Sequence, residues 1–352
     1  MIPQIEPSFG AEEAKALTAY IKDGGWGTEH TKTRELEDVI ARFLGAKHVS
    51  MTVNGTQALI FALMAVGVQA GDEVLVPSLT MIATCNAVRA LGAKPVFCDV
   101  NDGLCMDWSL AASEKLNPKV KAVIYVSLNG RSGGLGDLIR DCYERGIHVV
   151  EDACQSFGSK HQGHYLGTLG DIGCFSLSPH KIISTGQGGF IATNSTKLYD
   201  GFRSLKDFGR LKAGVDIHPE FGLNGKFTDF QAVIGLEQMK KLHSRILAKK
   251  VIYGNYKAHL SGVVEFIDTP SEVVPWFVDV YLDDAVKLHN YLGLKHIQTR
   301  LMYPPCHSQP CYGEKWVLPT TERASKRGLW LPSSPTLSKK TIETICKEIK
   351  KW

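Results

Sequence analysis

A lysine and an aspartate follow two apolar segments of this chain, and their side chains suit one kind of covalent chemistry. Lys181 follows residues 173–177 and a short turn containing a proline, and a glycine-rich return ends at Gly189. Asp152 lies at the C-terminal end of a second apolar segment. An amine and a carboxylate at one edge of a sheet suit pyridoxal phosphate (PLP), because the lysine can form a Schiff base while the carboxylate keeps the pyridine nitrogen protonated.

Residues 54–56, Asn-Gly-Thr, lie where a predicted strand turns into a predicted helix. Gly55 allows close backbone approach, Thr56 offers a hydroxyl, and the helix N-terminus supplies free amides, which together predict a phosphate cradle. An ordinary N-cap with a glycine turn is the alternative. Ser176 and Ser178 should face the same side of their strand, so either one could meet a phosphate. Polar filling of a strand edge is the alternative for these serines.

Asp152 also has two interpretations. In a parallel sheet, ligands bind at the C-terminal ends of the strands, which favours a functional carboxylate. Gln155, three residues later, could then hydrogen-bond a ring oxygen of the cofactor. Alternatively, Asp152 caps the turn that follows it.

The positions of these residues depend on an alternation of predicted strands and helices. Apolar segments rich in β-formers, at residues 48–53, 73–77, 95–100, 122–127, 148–153, 173–177 and 189–193, predict strands, and residues 56–66, 81–91 and 135–145 predict helices. This alternation predicts an α/β fold with a mostly parallel sheet between helices. The last two strands follow each other without a helix, so part of the sheet is expected to be antiparallel or inserted.

A change of pattern follows near residue 228. A helix is predicted over 229–247 and, after a break, to about residue 260; the proline-rich remainder predicts a smaller α+β unit. We therefore expect a large PLP-binding domain over residues 1–240 and a small C-terminal domain over 241–352.

Composition excludes several classes of function. The 352 residues are 44% hydrophobic, and the 40 basic and 36 acidic residues are spread along the chain, which leaves no nucleic-acid or membrane footprint. No signal peptide and no transmembrane segment are predicted. The 9 cysteines are scattered and suggest reduced thiols in a cytoplasmic protein. Cys306 and Cys311 flank His307 but lack a second ligand pair, so no metal site is predicted.

Taken together, these motifs resemble the DegT/StrS family of PLP-dependent sugar aminotransferases, within the aspartate aminotransferase superfamily of fold type I. The resemblance runs over essentially the whole chain. It is carried by residues 54–59 (NGTQAL), 71–77 (GDEVLVP), 95–100 (PVFCDV), 151–156 (EDACQS), 169–176 (LGDIGCFS), 178–181 (SPHK), 185–189 (TGQGG), 222–224 (GLN), 229–236 (DFQAVIGL), 304–310 (PPCHSQP) and 327–333 (RGLWLPS).

The resemblance implies a role for each matching residue. Lys181 would form the Schiff base and later move protons as general base and acid. Asp152 would pair with the pyridine nitrogen, and Gln155 would contact the ring hydroxyl. The phosphate would be held by Gly55, Thr56 and Ser176. Asn224 would reach the phosphate of the neighbouring subunit, which implies a homodimer with shared active sites.

Three residues depart from the family pattern. Met81 stands where an aromatic residue often stacks on the cofactor ring, and a thioether can pack there more weakly. Gln187 replaces a glutamate near the sugar site, and Lys226 stands where an arginine is frequent. The loop from Tyr303 to His307 and the Lys226 segment are expected to select the sugar and the nucleotide.

The implied reaction is transfer of the amino group of glutamate to C4, or else C3, of a nucleotide-linked keto-deoxy sugar, as in perosamine- or viosamine-type synthesis. One alternative is a PLP-dependent sugar 3-dehydrase, in which histidine replaces the Schiff-base lysine. His180 lies next to Lys181, but counting from Pro179 to Gly186 places Lys181 at that position. The other alternative is a non-catalytic sensor or regulatory protein that retains the fold.

Overall fold

A seven-stranded sheet positions the candidate site in this protein. The computed structural model describes residues 1–212, 214–313 and 315–352. The strands of this sheet are β1 His48–Thr52, β2 Glu73–Pro77, β3 Lys94–Cys98, β4 Val120–Val126, β5 His148–Asp152, β8 Ile172–Ser176 and β9 Gly189–Thr193. A small hairpin, β6 Lys160–His161 and β7 His164–Tyr165, lies between β5 and β8.

The strand order is β1-β9-β8-β5-β4-β2-β3. The pairs from β8 through β3 are parallel, whereas β9 runs antiparallel to both β8 and β1. All seven predicted strands are present, and the expected antiparallel part is the β8–β9 pair. Strand residues are almost entirely buried, which explains why these segments are continuously apolar instead of alternating.

Helices cover the large sheet. They are α1 Ala11–Lys22, α2 Thr31–Leu44, α3 Gly55–Ala65, α4 Ile82–Ala90, α5 Trp108–Glu114, α6 Leu135–Arg145 and α7 Thr196–Leu205. Helix α3 is apolar on nearly every side because it packs between the sheet and its neighbours α4 and α7. Asn54 caps its N-terminus by accepting a hydrogen bond from Gln57 N over 2.8 Å.

Helix α8 runs without interruption from Asp229 to Leu260. The predicted break after residue 247 is therefore wrong. Polar residues on the buried face hid the helical period: Arg245 and Lys249 are both buried, and both donate to backbone carbonyls of other segments. Residue 240 lies inside this helix, and the division of the chain there remains a prediction.

A second sheet follows α8. Its strands are β10 Glu265–Phe266, β11 Val278–Tyr281, β12 Arg300–Leu301 and β13 Gly328–Leu331, in the antiparallel order β10-β11-β13-β12. The accompanying helices are α9 Ala285–Leu294, α10 Pro319–Arg327 and α11 Lys339–Lys351. No helix in the described ranges is both long enough and apolar enough to cross a membrane.

Candidate active site

The carboxyl ends of the parallel strands meet at one edge of the large sheet. Strand β5 ends at Asp152, β8 ends at Ser176, and β1 leads into α3 through Asn54. The turn that carries Lys181 leaves β8 at the same edge. The topology thus brings together the lysine, the aspartate and the glycine-containing helix start, which are far apart in sequence.

Lys181 lies against an aromatic wall. Its Nζ is 3.8 Å from the ring centroid of Trp276, a residue that precedes β11 and is only 4% exposed. The Trp276 indole Nε1 donates to the carbonyl of His180 over 2.8 Å, and the two rings pack at a tilt. Trp276 therefore fixes the turn before the lysine and one side of the lysine amine at the same time.

Burial and charge change the acidity of this lysine. Loss of solvation lowers the pKa of Lys181 to about 8, although Cys154 and Asp152 nearby act in the opposite direction and Arg300 lowers it further. The same loss of solvation, together with the charges of Lys181 and Arg300, lowers the pKa of His180 to about 4. A substantial fraction of Lys181 is consequently neutral at mildly alkaline pH, as a nucleophile or proton acceptor requires.

Asp152 is held on both of its oxygens. Thr84 Oγ1, on α4, donates to Oδ2 over 2.7 Å, and the backbone amide of Cys154 donates to Oδ1 over 3.2 Å. The side chain is only 6% exposed. A carboxylate fixed in this way at a strand end suits a partner with an N–H⁺ group, and the long bond to Cys154 leaves Oδ1 with accepting capacity.

Gln155 is fixed by the end of the neighbouring strand. Its Oε1 accepts from the backbone amide of Asn129 over 3.0 Å. Asn129 is buried in a left-handed conformation, with φ 53°, and its side chain is hydrogen-bonded to the backbone of Phe277, just before β11, and to Asp279 within that strand. Gln155 is thus linked through Asn129 to the segment that also carries Trp276.

The start of α3 forms a cradle beside β8. A Cβ at Gly55 would lie 2.8 Å from Cys154 Sγ and 3.0 Å from Ser176 Cβ, so only glycine fits there. Asn54 satisfies the amides of Gln57 and Ala58, while no described residue accepts from those of Gly55 and Thr56. Ser176 Oγ lies 3.4 Å from Ser178 Oγ, so the two hydroxyls share one side as predicted.

These features fit PLP. The unsatisfied amides at the helix start suit its phosphate. The held carboxylate suits its pyridine nitrogen, and the partly neutral lysine suits its aldehyde. PLP, when bound, supplies an electron-accepting ring that stabilises negative charge on the adjoining carbon.

Other predicted site residues lie at the rim. Met81, 45% exposed, is the residue before α4, and its sulfur accepts from Ala83 N. Gln187 is exposed, and its carbonyl accepts from Thr185 and Gln231. The Met81 thioether is accessible for packing on a ligand, whereas the contacts of Gln187 concern its backbone alone.

The predicted selectivity residues fall into two places. Lys226 Nζ pairs with Asp207 over 2.8 Å, close to the exposed Asn224. Tyr303 is buried against Trp330, with ring centroids 4.8 Å apart. His307 Nδ1 is hydrogen-bonded to Ser78 Oγ over 2.7 Å, and its buried ring is part of the packing. Among the residues described, no group of three or more His, Cys, Asp or Glu could hold a metal ion.

Sequence reasoning missed three residues of this site. Thr84, Asn129 and Trp276 contact Asp152, Gln155 and Lys181, respectively. Thr84 had a detectable signal, since it is a polar residue on the buried face of α4, the first helix after β2. Trp276 had none, because its position depends on how the second sheet packs against the first.

Comparison with known proteins agrees with this geometry. The model of the DegT/DnrJ/EryC1/StrS aminotransferase family matches residues 7–350. GDP-perosamine synthase of Escherichia coli O157:H7 is 32% identical over 360 residues, covering 100% of this chain and 98% of the relative. UDP-2-acetamido-2-deoxy-3-oxo-D-glucuronate aminotransferase of Pseudomonas aeruginosa is 32% identical over 318 residues, covering 89% of this chain and 88% of that one.

A solved structure shows the same architecture. The aminotransferase TlmJ from Streptoalloteichus hindustanus superimposes with a TM-score of 0.94 at 30% identity, covering 100% of this chain and 98% of that one. The predictions of the fold class, of a PLP-dependent enzyme and of sugar-nucleotide transamination are confirmed. This chain belongs to the DegT/DnrJ/EryC1/StrS aminotransferase family.

Proposed function

We propose that this protein transfers the amino group of glutamate to the C4 ketone of a nucleotide-linked 4-keto-6-deoxy sugar, as in perosamine- or viosamine-type synthesis. The observation that carries the proposal is the convergence of Lys181, Asp152 and the α3 cradle at one sheet edge, in a chain that matches GDP-perosamine synthase from end to end. Amination at C3 is the second candidate, because the relative from P. aeruginosa is named for a 3-oxo sugar.

In the proposed reaction, each site residue has a physical task. Lys181 Nζ takes a proton from the α-carbon of glutamate and later returns one to the sugar carbon; a pKa of about 8 suits transfer in both directions. Asp152, held by Thr84, stabilises positive charge on the ring nitrogen. The α3 amides, Ser176 and Gln155 orient the cofactor, and Trp276 restricts the position of the lysine amine.

The active enzyme is proposed to be a homodimer with shared sites. Asn224 is exposed and lies at the end of a segment with four strongly exposed apolar side chains, Leu211, Ile217, Phe221 and Leu223. Such side chains are costly in water, so a second copy covering them would stabilise the segment. A cytoplasmic location is also proposed, and nine free cysteines fit that compartment.

A panel of GDP-, UDP- and dTDP-linked 4-keto-6-deoxy sugars, each supplied with glutamate, tests the proposal. We expect one amino sugar and an equal amount of 2-oxoglutarate, measured by mass spectrometry. Loss of the sugar 3-hydroxyl without amination would support the dehydrase alternative. Absence of any product, and of any visible absorbance that borohydride removes, would support a non-catalytic protein.

A further inference from the structure

Asn129 joins the end of β4 to the second sheet through its side-chain amide. It is only 1% exposed and lies in the turn of residues 127–131, which follows β4. Its Oδ1 accepts from the backbone amide of Phe277 over 2.6 Å, and its Nδ2 donates to the carbonyl of the same residue over 2.8 Å. Nδ2 also donates to Asp279 Oδ2 over 2.9 Å. One side chain thus meets both backbone polar groups of Phe277, which fixes the 127–131 turn against the segment that enters β11.

A buried ion pair strengthens this attachment two residues later. Arg131 is 3% exposed, and its two terminal nitrogens donate to the two carboxylate oxygens of Asp279 over 2.6 and 2.8 Å. Its Nε donates to the carbonyl of Asp268 over 2.8 Å. Paired hydrogen bonds of this kind set orientation as well as distance. Asn129 therefore sits in a turn that has little freedom to rotate.

The opposite side of the same turn faces the cofactor site. The backbone amide of Ser127 donates to the carbonyl of Asp152 over 3.2 Å, and that of Asn129 donates to Gln155 Oε1 over 3.0 Å. A backbone N–H can only donate, so the oxygen of the Gln155 amide must point to Asn129. No described residue accepts from Gln155 Nε2. The NH2 group of Gln155 is consequently the part left for a ligand.

We propose that Asn129 is a positioning residue that holds the NH2 group of Gln155 towards the ring hydroxyl of PLP. This inference rests on the proposed function, in which Gln155 orients the cofactor. In the PLP-loaded enzyme the ring oxygen shares a proton with the nitrogen contributed by Lys181. A donor on that oxygen stabilises its negative charge, so the shared proton is released at a lower pH. Through Asn129, this effect depends on how the second sheet is attached to the first.

A pH titration of the visible absorbance of the PLP-loaded enzyme tests the proposal without glutamate or sugar. Asn129→Gly keeps the left-handed backbone but cannot bridge to Phe277, and we expect the midpoint to rise by about half a pH unit or more. Asn129→Ser, whose hydroxyl cannot reach both groups of Phe277, should shift in the same direction and serves if the glycine variant does not fold. Gln162→Gly is the matched control, because Gln162 is exposed and also left-handed, with φ 50°, and its midpoint should not move.

A double-mutant comparison shows whether Asn129 acts through Gln155. Gln155→Ala should raise the midpoint, and adding Asn129→Gly should raise it no further, since one contact cannot be lost twice. A wild-type midpoint in a folded Asn129 variant would overturn the proposal. An unchanged midpoint in Gln155→Ala, or shifts that add in the double variant, would also overturn it. Failure of the whole sugar panel would count against the proposed function alone, because the titration uses neither substrate.

Discussion

Thr84 Oγ1 donates a 2.7 Å hydrogen bond to Asp152 Oδ2. Because that hydroxyl hydrogen is used, the 3.0 Å contact between the two hydroxyls of Thr80 and Thr84 must have Thr80 as its donor. A short relay of hydroxyls thus runs from the start of α4 to the carboxylate at the end of β5. It holds Asp152 in one orientation before any ligand binds.

Removing the Thr84 hydroxyl should leave the Asp152 carboxylate without one of its hydrogen-bond donors, while the packing around residue 84 is preserved. Thr84→Val is nearly isosteric, and it deprives the ionised Asp152 of a donor in a buried site; we expect turnover to fall about tenfold or more and PLP affinity to weaken. Thr84→Ser keeps the hydroxyl and should stay within a few-fold of wild type. Equal activity of the valine and serine variants would show that the relay is only structural.

Replacing the carboxylate itself should have a larger effect. An amide in Asp152→Asn cannot stabilise a protonated pyridine nitrogen, so turnover should fall by orders of magnitude, with the folded structure retained by circular dichroism. Near-normal turnover of this variant would mean that Asp152 only caps the turn after β5.

Buried Lys249 should make stability depend on pH. Its Nζ donates to the carbonyls of Trp276 and Ser333, and burial lowers its pKa from 10.5 to about 7. Between those values the unfolded chain binds more protons than the folded one, so the free energy of unfolding should rise as pH increases from about 7 towards 10.5. Below about pH 7 the lysine is protonated in both the folded and the unfolded chain, so this gain in the free energy of unfolding is absent.

Lys249→Met should remove this contribution to the pH dependence, since methionine does not titrate. The variant should also lose about 1–3 kcal/mol at neutral pH, because two buried carbonyls lose their donor. Urea unfolding at a series of pH values, compared with Lys250→Met as an exposed neighbour, measures both effects. Parallel pH profiles for wild type and Lys249→Met would contradict the conclusion that burial lowers the pKa of Lys249.

The shared site can be tested by mixing inactive subunits. If Asn224 serves the partner's phosphate, a dimer of Lys181→Ala and Asn224→Asp subunits has one site with both lesions and one wild-type site. The aspartate places a negative charge against the phosphate, so each parent should be inactive at limiting PLP. The mixture should regain part of the wild-type activity. Failure to regain it, with subunit exchange verified by native mass spectrometry, would place Asn224 in its own subunit's site or outside the site.

Local patterns were sufficient for much of the fold. Continuous apolar segments identified all seven strands of the large sheet, and Asn54 marked the start of α3, because burial and capping act on neighbouring residues. The uninterrupted course of α8 could not be predicted, because a lysine such as Lys249 is not expected on the buried face of a helix. The carbonyls that accept from its amine belong to segments distant in sequence.

The residues of the candidate site also fall into two groups, those that the sequence could identify and those that it could not. Lys181, Asp152 and Gly55 were identifiable because each follows or precedes a strand or helix with a distinct chemical character. Trp276 lies just before β11 of the second sheet, and its approach to Lys181 follows from packing between the two sheets. No local pattern in a single sequence records that packing.

The central claim is that Lys181 carries the chemistry of glutamate-dependent sugar amination. The most direct measurement is the multiple-turnover rate of amino-sugar formation by Lys181→Ala, with the best keto-sugar of the panel and with folding verified by circular dichroism. We predict no turnover above background, together with non-covalent retention of PLP through the α3 cradle and Asp152. Appreciable multiple turnover by the folded variant would contradict the account.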